Sequence, residues 1–238
     1  MKRFWDRATV DAGPGGYGVL LDGRPVRLPG GAPLSVRSER LAEAVAAEWE
    51  AAGGGAKGGD MSPADVPLTR LAGTAQERIA PDPAPVVEGL AKYGETDLLC
   101  YRAEDPRLSA LQADGWQPLL DWAARRHDAL LRVTAGLMPV AQPAGALAAL
   151  RRAVSALAPL DLAALGVLVP AFGSLVLGLA VVEGRLDAAE AMRLAILDET
   201  FQEQFWGVDA EAAARRARVA ADVGQAARLL ALARGGGA

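Results

Sequence analysis

The sequence Asp198-Glu-Thr-Phe-Gln-Glu-Gln-Phe-Trp-Gly207 decides how the second half of this chain is expected to fold. Together with the residues before it, this stretch predicts one helix from Asp187 to Trp206. Glu190 follows Asp187 at the spacing of a capping box, and Gly207 is a natural stop. The sequence therefore predicts a single long helix that ends at Trp206.

The apolar side chains of this predicted helix fall on two opposite faces at about 100° per residue. A helix that is apolar on both faces is expected to be covered on both. We therefore expect this helix to lie inside a helical domain. The first face holds Leu194, Leu197, Phe201 and Phe205, and the second holds Met192, Ile196, Glu199, Glu203 and Trp206.

The same stretch is acidic, with five carboxylates and no lysine or arginine from Asp198 to Glu211. Glu199 and Glu203 lie one helical turn apart, where like charges repel. One interpretation is a solvated edge, since surface acids are common. The other is an acidic binding site on a rigid helix. A last helix over 209–233 carries arginines that we expect to return charge to these acids, namely Arg215, Arg216, Arg218 and Arg228.

Composition excludes several classes of protein. The chain has 238 residues, of which 51% are hydrophobic, so a sizeable core is expected and general disorder is excluded. A net charge of −4 argues against sequence-independent binding to nucleic acid, which needs a basic face. Cys100 and His127 are the single cysteine and histidine, which excludes a disulfide within the chain and a Cys/His zinc site. We expect no metal and no other cofactor.

One apolar run is long enough to span a membrane. Leu162 to Val182 contains 21 residues without a charge. Pro170 divides the run, and its flanks Asp161 and Glu183 provide no cluster of lysine or arginine to orient insertion. We therefore predict two buried helices, over 160–169 and 171–182, and no stable membrane insertion. A membrane span remains the alternative.

The N-terminal part of the sequence predicts strands. Tyr17, Val19 and Leu21 alternate with less apolar positions, and Asp22-Gly23 is a strong hairpin signal. Ser38 is placed to cap a helix over 39–52. The G-x-G-x-x-G pattern of Gly13 to Gly18 precedes a strand rather than a helix, so it predicts a turn and not a dinucleotide site.

These patterns together predict an α+β fold. A small β-rich N-terminal domain with one or two helices is expected over 1–80. A proline-rich connection follows, with prolines at 81, 83 and 85. A larger, all-helical C-terminal domain is expected over 86–238.

Seven short motifs occur in order along nearly the whole chain, each weak alone but specific as an ordered set. They are Phe4-Trp5, Leu21-Asp22-Gly23-Arg24-Pro25-Val26, Ala47-Glu48-Trp49, Pro67-Leu68-Thr69-Arg70-Leu71, Thr96-Asp97-Leu98-Leu99-Cys100-Tyr101-Arg102, Leu111-Gln112 with Trp116 and Pro118, and Glu199-x-x-Gln202-x-x-x-Trp206-Gly207 with Asp209-x-Glu211. This set resembles the mitochondrial-type ATP synthase assembly chaperone that attends the alpha subunit of the F(1) head and also occurs in alphaproteobacteria. The chain departs from the family pattern at Glu50, Val66, Gly73 and Gln117, outside the acidic block.

The resemblance implies a monomeric chaperone that is neither an enzyme nor dependent on ATP. It would bind the unassembled alpha subunit of ATP synthase and prevent its aggregation until beta pairs with it. The implied location is the cytoplasm in a bacterium and the mitochondrial matrix for eukaryotic relatives. The implied partner-binding residues are Glu199, Glu203, Trp206, Asp209 and Glu211, with Glu199 as the main functional carboxylate. The implied structural positions of the family are Trp5, Trp49, Asp97, Tyr101 and Trp116.

Two other functions remain open from the residues. The first is an enzyme that uses Glu199 with Asp198 or Glu203 as an acid/base pair. The second is a generic protein-interaction module with a different client. An apolar, aromatic surface beside acids is typical of protein binding, which both the chaperone and the module would share.

Overall fold

The computed structural model describes residues 1–136 and 140–234. These residues form two compact units. The first unit comprises 1–83, 159–164 and 228–234, and the second comprises 84–158 and 165–227. The predicted α+β class is confirmed, because a small antiparallel sheet near the N-terminus is combined with a larger helical region.

The sheet of the first unit is built on a tight hairpin. Asp22 and Gly23 both have positive φ values, 48° and 79°, as the predicted two-residue turn requires. The G-x-G-x-x-G stretch forms the other turn, where Gly13 pairs with Gly16 across two residues. Strand β2 pairs with β1, β3 and β4. The strands are β1 (Ala8–Gly13), β2 (Gly16–Leu21), β3 (Arg24–Pro25) and β4 (Ser35–Val36).

Two buried tryptophans lie in the first unit, where helix α1 (Glu39–Ala51) packs on the sheet and on helix α2 (Pro67–Thr74). The rings of Trp5 and Trp49 meet edge to face with centroids 5.1 Å apart. The Trp5 indole donates to the Trp49 carbonyl at 3.2 Å, and the Trp49 indole donates to Thr69 Oγ1 at 3.0 Å. Both indole N–H groups are thus satisfied in a buried site, as buried tryptophan requires. The predicted cap is confirmed, since Ser38 Oγ accepts from Leu41 N at 3.3 Å.

The remaining helices and strands lie beyond residue 83. The strands β5 (Tyr101–Arg102) and β6 (Thr134–Ala135) pair in parallel. The helices are α3 (Ala84–Ala91), α4 (Pro106–His127), α5 (Ala144–Ser155), α6 (Pro159–Phe172), α7 (Leu175–Val182), α8 (Ala188–Ala195), α9 (Leu197–Trp206) and α10 (Ala210–Arg234).

A buried carboxylate organises the second unit. Asp97 is fully buried and accepts hydrogen bonds from Leu99 N at 3.0 Å, Ser174 Oγ at 2.7 Å and Val176 N at 3.0 Å. It therefore satisfies backbone donors at the start of α7 as well as its own turn. Burial raises the pKa of Asp97, and these hydrogen bonds act in the opposite direction.

The break in the apolar run differs from the prediction. Helix α6 continues through Pro170 and ends at Gly173, which is left-handed with a φ of 63°, and Ser174 caps α7. Gly178 permits close packing of α7, because a Cβ there would lie 2.6 Å from Val169 Cγ2. The predicted pair of helices is confirmed, but their boundary lies after Pro170. None of the helices in the described part of the chain is both long and apolar enough to cross a membrane.

Candidate partner-binding site

The acidic stretch lies on α9, which is a separate helix and not the end of a longer one. The prediction of one helix from Asp187 to Trp206 is wrong, because the backbone departs from helical geometry at Ile196, with φ −101° and ψ 18°. The indole of Trp116 donates to the Leu194 carbonyl at 3.1 Å. In a continuous helix that carbonyl would accept from the amide four residues later, so Trp116 takes the place of a helical hydrogen bond at the break.

The first turn of α9 is fixed by a buried glutamine. Gln112 is 1% exposed and donates from Nε2 to Asp198 Oδ1 at 2.7 Å. Its Oε1 accepts from Ala103 N at 2.7 Å. The hydrogen bond between Gln112 and Asp198 thus fixes the beginning of α9 within the second unit.

The two glutamates of α9 share one arginine from α10. Arg216 Nη1 donates to Glu199 Oε2 at 3.0 Å, and Arg216 Nη2 donates to Glu203 Oε1. These carboxylates raise the pKa of Arg216. The expectation that an arginine of the last helix returns charge to the acids is confirmed for Arg216. The side chains of Glu199, Glu203 and Arg216 are 46%, 21% and 16% exposed, so Glu199 is the most accessible of the three.

The other two acids predicted for this site lie at the start of α10. Asp209 Oδ1 accepts from Glu211 N at 2.8 Å and from Ala212 N at 3.2 Å, which is the geometry of a helix N-cap. Both Asp209 and Glu211 are exposed. Asp209 therefore has a structural role in addition to the binding role predicted for it.

The aromatic residues of α9 lie on the surface, which differs from the prediction of a helix covered on both faces. Within this fully described helix, only Leu197 is buried. Phe205 is 53% exposed and Trp206 is 80% exposed. The guanidinium of Arg107 lies 5.7 Å from the Phe201 ring centre and 5.2 Å from that of Phe205. Helix α9 therefore carries aromatic groups as well as acids on its exposed surface.

Two concavities flank Trp206. One has a volume of about 360 Å³ and is lined by three acids, Glu199, Glu203 and Asp209, and by two arginines, Arg215 and Arg216. The other has a volume of about 310 Å³ and is lined by Leu108, Phe201 and Phe205. Trp206 contributes to both. The end of α9 thus combines a charged hollow, an exposed indole and an apolar hollow.

This arrangement has the features of a binding surface. Glu199 and Glu203 both form ion pairs with the guanidinium of Arg216. Among the described residues, no group of His, Cys, Asp and Glu is arranged to hold a metal ion. An exposed aromatic patch beside charged side chains is instead typical of a protein–protein contact.

None of the residues named as structural positions lines the two hollows beside Trp206. Trp5, Trp49, Asp97 and Trp116 are buried, and Tyr101 is partly exposed. Sequence reasoning missed Arg107, whose contacts with Phe201 and Phe205 depend on the fold. It also missed the surface position of these two phenylalanines, because their helical spacing is the same as that of a buried face.

The comparisons with known proteins agree with the ordered motifs. The family model described as ATP12 chaperone protein matches residues 2–124. The crystal structure of Atp12 from Paracoccus denitrificans is 45% identical, with 98% of each chain covered and a TM-score of 0.90. A mutant of P. denitrificans Atp12p, in which a lysine replaces an aspartate, is 44% identical with the same coverage of 98% and a TM-score of 0.90. The Atu1473 protein from Agrobacterium tumefaciens is 39% identical, with 96% of this chain and 85% of that chain covered and a TM-score of 0.88.

Proposed function

This chain belongs to the ATP12 chaperone family, whose members act in ATP synthase assembly, and we propose that its client is the unassembled alpha subunit of F(1). In this proposal the protein holds alpha until beta pairs with it. It acts as a monomer in the bacterial cytoplasm, without ATP and without catalysis. An isolated subunit of a hexameric head exposes a large apolar interface and is prone to aggregation. A chaperone that covers this interface would prevent that aggregation.

The observation that carries the proposal is the exposed end of α9. Trp206 is 80% exposed beside an acidic cluster and a second exposed aromatic residue, Phe205. Leaving such groups in water is unfavourable for a protein that acts alone, whereas tryptophan is the residue that most often dominates a binding interface. A mixed aromatic and acidic surface also allows release, because moderate affinity suffices for a client that must be handed on.

We assign Glu199 the main charged contact with the client. It is the most exposed member of the glutamate pair, and a basic side chain of alpha would set the register of the complex more than its affinity. Glu203, Asp209 and Trp206 line the same hollow as Glu199, and Glu211 lies beside it in the first turn of α10. Asp209 combines this role with the N-cap of α10.

Light scattering during refolding of isolated alpha tests this function. We expect wild-type protein to suppress aggregation of alpha, but not of beta or of an unrelated aggregating protein. Glu199→Lys should fold normally and suppress aggregation less. Glu43→Lys makes the same charge change on an exposed residue of α1 and should behave as wild type.

Each other outcome of this experiment has a definite meaning. Equal suppression of all three proteins would indicate a general holdase and contradict the choice of alpha. If the protein suppresses aggregation of none of the three, the holding function is contradicted and the enzyme alternative is favoured. A well-folded Glu199→Lys variant with full suppression would contradict the role of Glu199.

A further inference from the structure

We propose that α9 binds two neighbouring side chains of its client, one on each side of Trp206. One of these side chains is basic, and the other is large and apolar. This inference rests on the proposed function and adds the chemistry of the client segment. The basic side chain binds Glu199, and the apolar side chain enters the hollow formed by Phe201, Phe205 and Leu108.

The apolar hollow is already formed in the free protein. Its volume of about 310 Å³ is at the lower end of the range of ligand pockets, which suits one large side chain. Phe201 and Phe205 pack with ring centroids 5.3 Å apart, and Arg107 lies over both rings. The rings are thereby held in one arrangement, which lowers the entropy lost on binding.

The wall opposite these rings is part of a helix N-terminus. Asp105 Oδ1 accepts from Arg107 N at 2.8 Å and from Leu108 N at 3.3 Å, and so caps α4. Asp105 Oδ2 also accepts from Arg107 Nη2 at 3.3 Å. Both walls of the hollow are therefore formed by regular helices, which fix its shape.

The charged side is oriented by Arg216. This guanidinium binds Glu199 through Oε2, while Glu199 Oε1 makes no hydrogen bond to any residue in the described ranges. Glu203 holds the other terminal nitrogen of Arg216. Arg216 is therefore a positioning residue, which fixes the Glu199 carboxylate and leaves one oxygen for a basic group of the client.

Trp206 separates the two sides and touches both. At about 100° per residue along α9, Gln202 and Trp206 fall between the glutamates and the phenylalanines. Both residues line both hollows. A client segment that lies across Trp206 therefore meets an acid on one side and an apolar hollow on the other. The matching segment carries an arginine or lysine beside a large apolar side chain.

The test is the affinity of purified alpha subunit for the full chain and its variants, measured at two salt concentrations. Phe205→Ser and Trp206→Ala should each raise Kd about tenfold at both concentrations, since the contacts that they remove are apolar. Glu199→Gln should raise Kd about fivefold at about 0.05 M salt and much less at about 0.5 M, where charges are screened. Circular dichroism melting checks that each variant is folded.

Leu130→Ser provides the matched control for the apolar variants. Leu130 belongs to the same unit and is 73% exposed, outside both hollows. Its substitution should leave Kd within about twofold of wild type. An equal loss for Leu130→Ser would overturn the inference, because the client would then be responding to surface hydrophobicity in general.

A double-mutant cycle tests the positioning role of Arg216. Arg216→Gln should weaken binding as Glu199→Gln does, and the two changes together should weaken it no further. Arg216→Lys should restore part of the affinity. Losses that add in the double variant would show that Arg216 acts independently of Glu199 and would overturn this part of the inference.

The outcomes separate this inference from the function on which it rests. If wild-type protein binds alpha and both Phe205→Ser and Trp206→Ala bind equally well, the two-sided contact is contradicted while the function stands. If wild-type protein does not bind alpha, the proposed function fails and the inference fails with it.

Discussion

Asp97 and Glu199 are carboxylates of the same unit in opposite surroundings. Asp97 is fully buried and accepts three hydrogen bonds, two of them from backbone amides. The side chain of Glu199 is 46% exposed and is held by one arginine. Asp97 supplies the acceptor that neighbouring backbone amides need, whereas Glu199 has one carboxylate oxygen that no described residue binds.

Gln112 connects the two kinds of region. It is as buried as the core around Asp97, yet its amide donates to Asp198 at the start of α9. The surface of α9 is therefore supported from beneath by a satisfied polar group. The interior of this unit therefore uses polar groups to fix the backbone and the start of α9, whereas Phe205 and Trp206 at the end of α9 remain exposed.

The largest effect is expected for Asp97→Ala. This change leaves two buried amides and the Ser174 hydroxyl without their acceptor, and should lower the free energy of unfolding by about 3 kcal/mol. Urea unfolding at neutral pH measures it. Asp114→Ala, at an exposed aspartate of α4, should stay within about 0.5 kcal/mol of wild type. Equal stability of the two variants would contradict the role of Asp97.

A smaller effect is expected for Gln112→Leu. The side chain keeps its volume, but the Ala103 amide and the Asp198 carboxylate lose their partner, so the free energy of unfolding should fall by about 2 kcal/mol. The change should also loosen α9. Faster amide exchange over 197–203 in this variant would confirm the connection, and unchanged exchange there would refute it.

The smallest effect on stability is expected for Glu199→Gln. An exposed ion pair contributes little, so the melting temperature should remain within about 2 °C of wild type. Binding of the client should nevertheless weaken. A large drop in melting temperature would place Glu199 with Asp97 as a structural group and remove the contrast between the two.

Local signals in the sequence were sufficient for much of the fold. Asp22-Gly23 predicted its hairpin and Ser38 its helix, because both depend on residues close in the chain. The pairing of Arg216 with the acids was predicted from charge alone. These features need no knowledge of how distant segments pack.

The errors arose where distant residues decide the outcome. The break at Ile196 coincides with an indole from residue 116 that binds the Leu194 carbonyl, and periodicity cannot reveal this contact. The apolar run ends its first helix at Gly173 rather than at Pro170, and Ser174 bonds to Asp97. The exposure of Phe205 was missed for a related reason, since an exposed aromatic face and a core face share the same helical spacing.

Hydrogen–deuterium exchange of the full chain, free and bound to alpha, tests the central claim most directly. The exposed end of α9 is predicted to be the binding surface, so amides over 197–211 should exchange more slowly in the complex. Amides over 96–102, around buried Asp97, should exchange at the same rate in both states and serve as the internal control. Unchanged exchange over 197–211 in a formed complex would contradict the account.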